Sequence, residues 1–252
     1  MQKKQAVQKI FQPKPLPGKN YRFKQSPYDH MMEVPFRAMM VGPSGAGKGV
    51  TLTSLILDAY RGVFEAGIHI WSHSIHVDSS WLPVRKYIEE QGFDPKEYLH
   101  EVFRESDLER VLDEQKRVVS YMKSKGNLNL PSMLLAFDDV LDDAKLMRGS
   151  RQLTVLFQRG RHLGCSCVVS VQKLRVVNPV VRINSTDDII FRLRNFAEYS
   201  AWREESSALA PEEVIDQLYQ RQRHDLTDFY IWTKGPQTST RFSTSALVRR
   251  NR

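Results

Sequence analysis

Residues 41–50 read VGPSGAGKGV. Seven of these, Gly42, Pro43, Ser44, Gly45, Ala46, Gly47 and Lys48, are the residue types of a loop that holds phosphate. Glycines let the backbone curl so that successive N–H groups point at phosphate oxygens. A helix opening at the end of such a loop adds the partial positive charge of its N-terminus. Lys48 adds a full charge for the β- and γ-phosphates. A glycine-rich turn with a lysine is also compatible with a plain turn. One position departs from the pattern: Gly49 stands where such loops offer a serine or threonine hydroxyl to magnesium. Thr51 does not replace it, because two residues along a helix is about 200° round the axis. Thr53 lies on the right face but a full turn deeper, and Ser44 lies within the loop itself. Water, phosphate oxygens and a carboxylate are the remaining donors, since magnesium commonly keeps several waters.

A second set of chemistry-bearing residues lies at MLLAFDDV, residues 133–140, where an apolar run ends in two carboxylates. Placed on the strand beside the loop strand, such acids reach bound phosphates at its carboxyl end. Asp138 would serve magnesium, and Asp139 would orient or deprotonate an attacking water. An acidic turn after a core strand is the bland alternative. Asp142 and Asp143 have no strand end to place them and read as surface charges.

The third set is FQRGRHLGCSCVVSVQK, residues 157–173. A helix ends near Arg159, Gly160, Arg161 and His162, and a buried strand follows that terminates at Gln172. An amide there can touch a γ-phosphate or its water. Arg161 precedes the strand and so lies at the far end of the sheet from the loop. It is badly placed for its own site and well placed for a neighbour's, as an arginine finger given in trans requires. The alternative is compensation of a helix C-terminus.

The elements that must position these residues alternate. FRAMMVG (36–42), GIHIWS (67–72), SMLLAF (132–137), CSCVVSV (165–171), DIIFRLR (188–194) and DFYIWTK (228–234) read as strands. Helices are expected over 47–61, 106–124, about 149–163, and from Pro211 to about 223. Ser106 and Glu109 suggest a capping box for the second. The alternation predicts an α/β fold: a mainly parallel central sheet with helices on both faces. No repeat is visible.

Of 37 basic residues seven lie in residues 1–30 and four in 241–252, which leaves 26 against 28 acids in residues 31–240. The near-neutral body and basic ends suggest a basic extended N-terminal arm (1–30), a catalytic domain (31–240) and a basic C-terminal tail (241–252). Solvated termini and arms for a polyanion or acidic partner are both open. No apolar run is long enough to cross a bilayer, and no secretory signal follows the first lysines. Cys165 and Cys167, in an apolar run, read as buried core thiols, which suits a reducing compartment. His69, His73 and His76 lack an evident acid or cysteine partner for a metal. Trp71, Trp81, Trp202 and Trp232 read as core or subunit contacts. Arg175, Arg182, Arg192 and Arg194 would line a ring pore or a solvated face.

Three motifs together, GPSGAGK, LLAFDD and LFQRGRHLGCSCVVSVQ followed by NPVVRINSTDDIIFRLRN, resemble the FtsK/HerA superfamily of ring-forming DNA-pumping ATPases. Within it they look most like the poxvirus-type genome-packaging ATPases, over about residues 36–195. The resemblance implies a P-loop NTPase fold of the ASCE, RecA-like kind and the cofactors ATP and Mg2+. It implies phosphate binding by Gly42–Gly49 with Lys48, magnesium at Asp138, catalysis by Asp139, a sensor at Gln172 and a finger at Arg161, with Arg159 second. Many relatives carry glutamate where this chain has Asp139. The function implied is ATP-driven translocation of double-stranded viral DNA into a preformed capsid. The partners implied are DNA, a capsid or its vertex, and identical subunits in a pentameric or hexameric ring. The place implied is the host-cell cytoplasm or viral assembly site, with virion association. A cellular or plasmid HerA-type translocase, a small-molecule kinase, and a catalytically weakened structural ring share parts of this pattern.

Overall fold

A computed structural model describes residues 18–140, 149–220 and 229–234. Seven strands form one sheet: β1 (Arg37–Val41), β2 (Ile68–Ser72), β3 (Leu99–His100), β4 (Met133–Asp138), β5 (Cys165–Val171), β6 (Asp187–Phe191) and β7 (Phe229–Thr233). Their order is β3-β2-β4-β5-β1-β6-β7. Every pair is parallel except β6–β7. The mainly parallel α/β sheet expected from the sequence is therefore present, with an antiparallel strand at one edge.

The strands carry near-continuous apolar runs because both faces are covered. On one face Ala38, Met40, Ile70 and Ala136 pack under α1 (Lys48–Ser54), its π-helical continuation (Leu55–Ala59), and α2 (Leu82–Glu90). On the other, Met39, Val41, Leu135 and Val169 pack under α4 (Glu105–Ser124) and α5 (Arg151–Arg159). The short α3 (Pro95–Tyr98) and α6 (Pro179–Asn184) sit at strand ends, and α7 (Phe196–Ser206) and α8 (Glu212–Gln220) complete the second layer. The alternation of faces along each strand follows from the period of two. Cys165 and Cys167 are free and buried, and burial pushes the Cys165 thiol up to about 12. All four tryptophans are core residues.

Two local expectations fail. Helix α4 starts at Glu105 with Arg104 at its N-cap and no side-chain cap, so Ser106 and Glu109 form no capping box. Glu105 and Asp107 in the first turn answer the helix dipole instead, and the Glu105 carboxylate also accepts a bond from the Gln152 N–H. The acid-bearing strand β4 does not lie beside the loop strand β1: β5 sits between them. Burial of β5 on both faces and pairing on both edges make it the central strand.

Residues 1–17, the C-terminal tail and the Asp142–Asp143 pair lie outside the described residues. From residue 18 the N-terminal segment is extended and tied down. The Arg22 N–H donates to Leu128 O and Arg22 O accepts from Leu130 N–H. The Gln25 amide brackets the backbone of Val34 from both sides, and Tyr60 Oη donates to Met32 O. This strap crosses the end of the sheet where β1, β4 and β5 begin. Buried Gln115 of α4 pins the same end, donating to Pro131 O and Leu163 O.

The histidines separate. His76 lies against Arg85. His69 pairs with His100, which no local pattern singles out, at 3.2 Å between Nδ1 and Nε2. Tyr98 stacks on His69, at 4.4 Å between ring centroids. Burial, then the charges of His100 and Arg110, lower the His69 pKa to about 3. The unfolded imidazole takes a proton below about pH 6.5 and the folded one does not, so this group's contribution is complete above that pH and shrinks as pH falls. Asp187, raised to about 6 by burial, works in the opposite direction. A His69→Gln comparison separates the two. From pH 7 to pH 5 the wild type should lose about 2 kcal/mol more stability than this variant in urea unfolding.

Candidate nucleotide site

The phosphate-loop residues lie where the sequence put them, between β1 and α1. Gly42 continues β1, its N–H donating to Val171 O at 3.2 Å. A Cβ at Gly42 would come within 2.6 Å of Phe191, so only glycine lets the loop start this close to β6. Gly47 has φ 88° and hands the chain to α1 from a left-handed conformation that side chains resist. Pro43 and Ser44 follow at the loop's rise, Gly45 turns with φ 78°, and Ala46 is buried beneath. Lys48 is 6% exposed, its Nζ donating to Gly42 O (2.9 Å) and Pro43 O (3.2 Å) and lying 4.0 Å from Asp139 Oδ1. A buried ammonium needs such partners. A phosphate arriving at the loop would offer it better ones.

The carboxyl ends of β2, β4 and β5 stand in register: Ser72 beside Asp138, and Asp138 beside Ser170. These residues share the face that α1 covers. The Ser72 hydroxyl donates to Asp138 Oδ2 at 3.4 Å. Burial raises the Asp138 pKa, while the Ser170 hydroxyl, Lys48 and Ser72 oppose it. Asp139 turns the chain with φ 52°, the sole non-glycine residue with positive φ among those described. Aspartate tolerates this region better than most side chains. The strain, on the order of 1 kcal/mol, sits at the carboxylate nearest Lys48.

Gln172 follows β5 directly and is half-buried. Because β5 lies between β1 and β4, its end brings Gln172 between the loop and the acid pair. Sequence reasoning identified Gln172 but not this central placement. It also missed Ser72 and Ser170, whose only signal is cross-strand register. Arg194, read with a basic set that would line a ring pore or a solvated face, donates to Ser44 O at 3.1 Å from the loop after β6. Arg182 pairs with Glu205.

Arg161 and Arg159 are exposed at the opposite end of β5, a strand of seven residues and so about 20 Å away. Arg161 lies in the 3-10 turn Gly160–Leu163, its Nε 3.4 Å from His162 Nε2. It faces Arg37, whose pKa falls through burial and then through the charge of Arg161. Both line a cleft of about 690 Å3 with Glu33 and Asp187. No contact joins Arg161 to the loop of its own chain.

Over residues 22–194 the sequence matches the family described as Poxvirus A32 protein. The chain belongs to the poxvirus A32 family. The A32 match opens at the strap and closes at Arg194, so it takes in the loop, the acid pair, Gln172 and Arg161. A curated relative, Uncharacterized protein 015R of Frog virus 3 (isolate Goorha), is 24% identical over 159 residues, 63% of this chain and 44% of that one. The chain thus spans less than half the length of the curated relative it matches. Among solved structures, ATPases 2 and 3 of EssC from Geobacillus thermodenitrificans match with a TM-score of 0.52 at 17% identity, over 80% of this chain and 38% of that one. The genome packaging NTPase B204 from Sulfolobus turreted icosahedral virus 2, in complex with AMP, matches with 0.51 at 15% identity, over 80% and 94%. At these identities the likeness shows that this A32-family chain has the P-loop ATPase fold.

Two substitutions test the site. Lys48→Ala should weaken binding of a fluorescent ATP analogue by at least tenfold and reduce turnover to background. Asp139→Asn keeps a side chain tolerant of positive φ, so its melting temperature and ATP affinity should match the wild type while turnover falls about 10²-fold or more.

Proposed function

We propose that this chain is an ATPase that drives double-stranded viral DNA into a capsid, working as a ring of identical subunits. One observation carries the reading. Lys48, Asp138, Asp139 and Gln172 meet at one edge of the sheet, while Arg161 is exposed at the other. Among the described residues the loop has Lys48 and the Arg194 guanidinium beside it, and the exposed arginine on the far side would add a charge for the transferring phosphoryl group when copies stack in a circle. Family membership supports the packaging role, as does the likeness to B204, itself described as a genome packaging NTPase.

In this reading the loop N–H groups and the start of α1 bind the phosphates of ATP, and the Lys48 ammonium leaves the Gly42 and Pro43 carbonyls for phosphate oxygens. The Asp139 carboxylate orients the attacking water and accepts its proton, and the Gln172 amide positions that water or the γ-phosphate. The neighbour's Arg161 stabilises charge gathering on the phosphoryl oxygens in the transition state. The residues fit magnesium: Asp138 and its two flanking hydroxyls are hard oxygen donors. Asp138 would hold the ion, which when bound neutralises phosphate charge. The basic segments 1–30 and 241–252 would meet the DNA backbone without reading its sequence. The setting would be a viral assembly site in the host cytoplasm.

Subunit mixing tests the trans arrangement. Arg161→Ala should lower turnover by about 10³-fold and leave ATP binding intact. Mixed with Asp139→Asn subunits, it should regain activity that neither variant has alone. Absence of rescue at every ratio would contradict a shared site.

A further inference from the structure

We propose that the hydroxyl missing at position 49 is replaced from the sheet. Ser170, helped by Ser72, holds the magnesium of bound nucleotide by orienting Asp138 and the ion's waters. The inference rests on the nucleotide reading above and deepens it.

The vacancy is steric as well as chemical. A Cβ at Gly49 would meet nothing within 4 Å among the described residues, so none of them fills the room for a serine or threonine. The hydroxyls of α1 do not reach it. Thr51 lies round the helix on another face. Thr53 shares the face but lies a turn deeper, about 5.4 Å from where a ligand is needed. Its hydroxyl is buried and bonds to nothing among the described residues. The side chain of Ser44 is exposed at the loop rise.

The strand ends offer what α1 lacks. Ser72, Asp138 and Ser170 form one row across β2, β4 and β5, on the face toward α1. Ser72 is fixed from behind: its hydroxyl lies 3.2 Å from Ser74 Oγ, which accepts from Trp81 Nε1 at 3.3 Å. From there it bonds Asp138 Oδ2. Ser170 is fully buried, yet its hydroxyl makes no hydrogen bond of ordinary geometry among the described residues. Ser170 pairs with Asp138 across the β4–β5 register and so stands beside that carboxylate on the same face. A hydroxyl buried in a strand core without a full partner is costly to keep. Beside a carboxylate that would meet a cation, it has a use. Magnesium takes oxygen donors and retains waters. Groups that orient a ligating carboxylate typically contribute 10–100-fold to metal affinity.

The test uses the full chain and the affinity of a fluorescent ADP (mant-ADP), measured in EDTA and in saturating Mg2+. The ratio of the two affinities reports the metal alone. Ser170→Ala should leave the EDTA affinity unchanged and cut the ratio by about tenfold or more, and adding Ser72→Ala should cut it further. Gly49→Thr introduced into Ser170→Ala should restore the ratio, since it returns a hydroxyl to the open position. Thr53→Val should change nothing. A wild-type ratio in Ser170→Ala, or a lost ratio in Thr53→Val, would overturn the proposal. Failure of the wild type to bind mant-ADP even in EDTA would instead overturn the nucleotide reading beneath it.

Discussion

The chemistry of this chain depends on the parallel register of β2, β4, β5 and β1. Parallel pairing puts the carboxyl ends of all four at one edge, and register decides which side chains share a face there. Ser72, Asp138 and Ser170 line up because their strands pair at those positions. A slip of one residue in β4 would turn Asp138 to the face packed by α4 and α5, and would put Phe137 under α1. Both faces are apolar and covered, so such a slip would also bury polar groups against hydrophobic ones. The cohesion of the core therefore enforces the geometry of the site.

The same sheet holds two groups of residues apart by its length. At its carboxyl edge the loop, the acid pair and Gln172 meet. At its amino edge the strap and α4 anchor the turn that carries Arg161. Gly164 ends that turn, and Phe23 of the strap lies so close that a Cβ there would come within 2.4 Å. Lys123 of α4 lies over the ring of Tyr21 at 4.6 Å and reaches toward His162 O at 3.5 Å. Arg161 is thus exposed but its backbone is braced from two sides. A group that acts on a neighbour needs this combination, because its reach has to be fixed by its own subunit.

The sequence made most of this legible for physical reasons. A strand buried on both faces writes itself as an unbroken apolar run, and all but the two-residue β3 were read that way. The loop was legible because its glycines are demanded locally. The order of strands was not, because nothing in MLLAFDD or CSCVVSVQ says which of them lies next to β1. The roles of Ser72, Ser170 and His100 were hidden for the same reason: each is defined by a residue on another strand. The positive φ of Asp139 had no local signal beyond its residue type. The capping box at Ser106 misled because two acids in a first turn satisfy the helix start equally well. Arg194 was assigned to a basic set by composition, and only the fold brings it to Ser44.

The proposal that matters most is that this site turns over ATP in the service of moving DNA. The most direct measurement is the rate of ATP hydrolysis by the full chain with and without double-stranded DNA of mixed sequence. Hydrolysis should rise severalfold with DNA, independently of its sequence and less so at high salt. ATP that binds but is not hydrolysed under either condition would contradict it.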